Sequence, residues 1–74
     1  DIMRLSTIDN DHTVVVDKIE GDTALSESLE VLGFTPGTKA TIISKSPFHG
    51  PIAIELRGSR VALRYEDASL IHVQ

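Results

Sequence analysis

A chain of 74 residues with a formal net charge of −4 and no cysteine is expected to form one domain, in which only about 60% of the unfolded surface can be buried. No disulfide or thiolate metal site can reinforce that core. No run reaches the roughly 18 apolar residues of a membrane span, and no signal segment opens the chain, so it reads as soluble and without direct membrane insertion, held at a membrane only through a partner. The charge is divided, because residues 1–31 carry eight acids and two bases whereas residues 32–74 carry three acids and five bases. Overall acidity argues against a phosphate-binding surface, and Phe34, Phe48 and Tyr65 are few for stacking on a nucleic-acid strand.

In chain order, Leu5 and Ile8 lead into the polar run Asp9-Asn10-Asp11-His12, a turn by composition. Val14, Val15, Val16 and Ile19 predict a strand over Thr13–Glu20. After Gly21, Asp22 or Thr23 can cap a helix in which Leu25, Leu29 and Leu32 share one face and Ser26, Glu27 and Glu30 the other. Gly33 closes that helix and Pro36-Gly37 keeps it from resuming. A second strand is expected over Lys39–Lys45, then a loop, Ser46–Pro51, in which Pro47, Gly50 and Pro51 restrict Phe48 and His49. Alternation predicts a strand over Ile52–Arg57, a two-residue turn at Gly58-Ser59 and a return strand over Arg60–Arg64. A short helical turn over Tyr65–Ser69 and a last strand over Leu70–Val73 complete the chain.

Five short strands with tight turns and one interposed helix favour a small, strongly bent barrel, mostly β, whose ends meet and hide the strand edges. The ordered series Leu29, Leu32-Gly33-Phe34, Pro36-Gly37, Pro47, Gly50-Pro51, Gly58, Ala62-Leu63-Arg64, Ala68, Ile71 and Val73 resembles the FeoA family over nearly the whole chain, from Leu5 to Val73. One departure is the turn Asn10-Asp11-His12, where a glycine is more usual in the family. The resemblance implies an SH3-like five-stranded barrel, with one α-helix between the first two strands and a helical turn before the last. It also implies a cytoplasmic protein acting in bacterial ferrous iron uptake, in contact with the cytoplasmic part of FeoB, a GTPase-bearing iron permease. A related barrel occurs in iron-dependent repressors of the DtxR type, so the alternatives are a repressor module and the N-terminal domain of a fused permease.

The residues themselves offer no catalytic group, because no nucleophile elbow or phosphate-cradling glycine loop can be read. No cofactor is implied. His12, His49 and His72 lie on separate elements without ligand spacing, so no metal site is expected, and Asp11 with His12 offers iron at most a weak contact. Partner binding remains. Leu25 and Leu29 read first as core, with Leu25 near the helix start the more exposed. Phe48 with His49 forms either a pre-ordered anchor or a cap on the barrel. Arg57, Arg60 and Arg64 flank the hairpin and suit an acidic partner, or simply protect an edge. A monomer is expected.

Overall fold

β-branched residues and strict alternation give short strands, and turn residues set where each stops. The computed structural model describes residues 2–74. Its strands are β1 (Met3–Arg4), β2 (Thr13–Ile19), β3 (Lys39–Lys45), β4 (Ile52–Leu56), β5 (Ser59–Leu63) and β6 (Ile71–Val73); α1 is Thr23–Leu32, α2 is Tyr65–Ala68, and a 3-10 turn covers Leu5–Thr7. All pairings are antiparallel, in the order β1-β6-β2-β3-β4-β5.

β2 holds the sheet together because it serves two partners. Its residues Thr13, Val14 and Val15 pair with β3, and Val16, Lys18 and Ile19 pair with β6. The register slips between Val16 and Lys18, and again between Ile42 and Ser44 in β3. Such irregularities bend a strand and increase its twist, so the sheet curls around its apolar face. That face contributes Val14, Val16, Ala40, Ile42, Ile52, Ile54, Leu56 and Leu63 to a core shared with Leu5, Leu29, Phe34, Ala68, Ile71 and Val73.

Two expectations are corrected. The sheet has six strands rather than five, since Met3 pairs with Val73 and Arg4 with His72; a two-residue strand leaves no periodicity to read. The β4–β5 turn is Arg57-Gly58 rather than Gly58-Ser59, because Leu56 pairs with Ser59 and both turn residues have positive φ, 54° and 78°. Two successive left-handed residues match the twist of a two-residue hairpin. The expected alternation survives, with Leu63 buried and Arg60 exposed. Among the described residues no ladder joins β5 to β1, so the sheet is not closed by hydrogen bonds.

Helix α1 starts where Leu25 N–H donates to Asp22 Oδ1 at 2.8 Å. It ends at Gly33, whose φ is 117°. Gly33 N–H donates to Glu30 O at 2.9 Å and Phe34 N–H to Leu29 O at 3.1 Å, the paired bonds of a Schellman closure. A Cβ on Gly33 would also meet Leu56 Cδ1 at 3.2 Å. Gly33→Ala is therefore expected to destabilise the protein by about 1 kcal/mol or more; an unchanged urea midpoint would refute this geometry. The expected apolar stripe is narrower than its spacing suggests: Leu29 is buried and Leu25 partly buried, but Leu32 is 46% exposed and Val31 87%. Leu32 is the last helical residue, and the turn at Gly33 sends Phe34, fully buried, into the core.

A polar cluster at the β1–β6–β2 junction escaped the sequence. Glu20 accepts from Arg4 Nη1 at 2.5 Å and pairs with His72 Nε2, while Arg4 also donates to Ser69 O at 2.8 Å. His72 is only 4% exposed. These hydrogen bonds, to His72 first and Arg4 second, hold the Glu20 carboxyl below its usual pKa. A depressed carboxyl pKa stabilises the fold above the unfolded-state pKa and loses that contribution as pH falls through the folded value. Glu20→Gln should therefore lower the urea midpoint at neutral pH. Its gap from the parent protein should narrow below about pH 4.5, the ordinary carboxyl range; a constant gap would rule out the charge as its source.

Candidate partner-binding surface

The loop from Ser46 to Pro51 joins β3 to β4, and its two ends are tied by Ser46 N–H to Pro51 O at 3.1 Å. Inside it, Gly50 N–H donates to Pro47 O at 3.1 Å, which makes Phe48 and His49 the central pair of a tight turn. Their φ values are 58° and 57°, a left-handed pair in residues that carry a Cβ. Each such residue costs about 1 to 2 kcal/mol, so the turn persists only because its surroundings determine it. Gly50 is required by closeness, since a Cβ there would lie 2.7 Å from Ser46 Cβ.

The turn aims its two rings differently. His49 stacks on Tyr65, with ring centroids 4.0 Å apart and planes within 2°, which fastens the loop to α2. Phe48 is 100% exposed and therefore does not cap the core. Beside the turn lies a cleft of about 360 Å³, lined by Thr7, Lys45, Phe48, His49, Ile52 and Tyr65 among others. Lys45 Nζ donates to Ser6 O at 3.0 Å and to Ile8 O at 3.3 Å, so one wall is anchored to the 3-10 turn. The result is a tied turn on which Phe48 stands free in solvent and His49, also exposed, lies flat against Tyr65.

The remaining candidates separate. Leu29 is 2% exposed and belongs to the core, so it has no surface to offer; Leu25 packs against that core at the helix start. Arg57 and Arg60 lie at the turn end of the β4–β5 hairpin. Arg64 lies past the other end of β5, about 13 Å further along at strand rise, and is held by Asp67 through bonds of 3.1 and 3.2 Å. The three arginines are thus not one patch. Among the described residues no group of three His, Asp or Glu is arranged to hold a metal ion, and no helix is long and apolar enough to cross a membrane. At the turn 9–12, Asp11 has a φ of 65° and donates its N–H to Ile42 O at 2.7 Å. The backbone there favours glycine, and aspartate is among the few residues that tolerate it.

No curated protein matches this sequence closely enough to count as a relative. Solved structures do. An iron uptake regulatory protein, FeoA, is 26% identical with a TM-score of 0.89, over 100% of this chain and 96% of that one. FeoA of Stenotrophomonas maltophilia, a prokaryotic SH3 domain protein solved with zinc, is 26% identical with a TM-score of 0.84, over 97% and 89% of the two chains. A manganese-dependent transcriptional repressor shares the fold over 99% of this chain but 36% of its own, at 20% identity and a TM-score of 0.90. The bent antiparallel sheet with two helices is SH3-like in the manner of the Stenotrophomonas maltophilia FeoA. The FeoA domain model matches residues 3–74, and the chain belongs to the FeoA domain family, which is linked to ferrous iron transport.

Proposed function

We propose that this chain is a non-enzymatic cytoplasmic adaptor of ferrous iron uptake, a single monomeric domain that binds the cytoplasmic part of a FeoB-type permease and modulates transport or assembly. Its curled sheet serves as a barrel-like frame of SH3 kind, and its loops supply recognition. The observation that carries this reading is Phe48, fully exposed on a turn tied at both ends whose left-handed backbone disfavours its Cβ. Exposed aromatic anchors on pre-ordered turns lose little entropy when they dock. The cleft beside Phe48, lined in part by Ile52 and Tyr65, gives a partner side chain somewhere to enter. The repressor likeness is below the identity at which it says more than fold, so the transport reading leads.

The test is an amide NMR titration of the labelled domain with the cytoplasmic GTPase region of its cognate permease. Saturable shifts centred on 46–51 and Tyr65 are expected. Saturable shifts confined to other surfaces would move the site, and silence at high concentration would remove the permease as partner.

A further inference from the structure

The two ends of the sheet are finished differently. At one end β1 is two residues long and passes directly into the 3-10 turn, which leaves little edge. At the other, β5 pairs with β4 through five consecutive residues without a slip in register. Among the described residues, no backbone hydrogen bond beyond the β4 ladder engages 59–63. Ser59, Arg60 and Ala62 are exposed, and no proline interrupts the strand. A regular edge without a bulge, a proline or a shortened strand presents free N–H and C=O groups that an extended chain can pair with.

The charges beside this edge select the kind of chain. Arg57 and Arg60 make no ion pair among the described residues; Glu55 stands across the ladder from Arg60 without reaching it. At the far end the chain runs on through Arg64, already paired with Asp67, to Tyr65, stacked on His49 next to the exposed Phe48. The edge therefore has an end with unpaired cations and an end where the cation is paired and aromatic rings lie, separated by about 17 Å of strand.

We infer that the β5 edge accepts an extended acidic segment of a partner protein as an added strand, with carboxylates toward Arg57 and Arg60 and an apolar side chain toward Phe48. The inference rests on the binding-module reading and adds the chemistry of what is bound. A second copy of this chain suits the edge less, because its own β5, Ser59–Leu63, carries Arg60 and no carboxylate to set against Arg57 and Arg60.

The test uses capped peptides of about eight residues, long enough to cover the edge, with valine alternating with glutamate or with lysine, titrated into the labelled domain. The acidic peptide should give saturable shifts at Ser59–Leu63, and the lysine peptide should not bind. The acidic peptide should lose binding when N-methylated on alternate residues in one frame and keep it in the other, since methylation blocks pairing on one edge only. The double variant Arg57→Gln, Arg60→Gln should bind it about tenfold more weakly with an unchanged amide fingerprint elsewhere.

Equal binding of the lysine peptide, indifference to both methylation frames, or shifts at β5 that grow with protein concentration alone would each overturn the inference, the last by making a second copy the occupant. If the permease region shifts the Phe48 turn while no peptide touches β5, the strand-addition inference falls and the proposed function stands. If the acidic peptide binds β5 and the permease region gives no shifts, the inference stands and the named partner falls.

Discussion

Replacing Phe34 with alanine is expected to destabilise the protein by about 3 to 5 kcal/mol, the range for truncating a buried phenylalanine. Phe34 has no exposed surface and is the first of the largest fully buried side chains. It also sits where two structures are joined: its N–H closes α1 on Leu29 O at 3.1 Å, and Leu29 lies with it in the core. A chain of this length has about 4 to 11 kcal/mol of total stability, so the variant loses at least about a quarter of it. With an m-value of about 1 to 1.5 kcal/mol/M for a small domain, the urea midpoint should fall by roughly 2 to 5 M. A fall below about 0.5 M would mean that Phe34 does not organise the core.

Phe34 also shows where sequence reasoning ends. The helix, its aspartate cap and its Gly33 stop are local features, each set by neighbours within a few residues, and the structure has all of them. The strands of β2 to β5 were legible from β-branching and alternation. Other features depend on residues far apart in sequence. β1 exists only because Met3 and Arg4 find β6, and in the Arg4–Glu20–His72 cluster Glu20 meets Arg4 16 positions away and His72 52 positions away. Whether Phe34 or Leu32 turned inward depended on how the chain left Gly33, which periodicity does not encode. The hairpin register was missed by one residue because Arg57 takes the left-handed conformation that composition assigns to glycine.

The site divides in the same way. Phe48 and His49 stood out in sequence through their flanking Pro47, Gly50 and Pro51. Which ring would find a partner could not be read, because the answer lies with Tyr65, 16 residues beyond His49, on which the histidine ring stacks. Arginines grouped by sequence position turned out to lie at opposite ends of β5, with Arg64 already engaged by Asp67.

Phe48→Gly is expected to separate stability from binding. The substitution removes a side chain that makes no buried contact, since Phe48 is 100% exposed, and supplies the residue best suited to a φ of 58°. Urea unfolding should therefore show unchanged stability or a gain of up to about 1 kcal/mol. Affinity for the permease region should fall at least 30-fold if Phe48 is an anchor worth about 2 kcal/mol. Phe48→Ala should lose the same affinity without the gain, because alanine retains the Cβ that the left-handed backbone disfavours. Phe48 strains its own turn and supports no core, and opposite signs in the two measurements are what an anchoring role for it predicts. Loss of stability in Phe48→Gly would show that the ring supports the loop, and affinity unchanged in both variants would remove Phe48 from the interface.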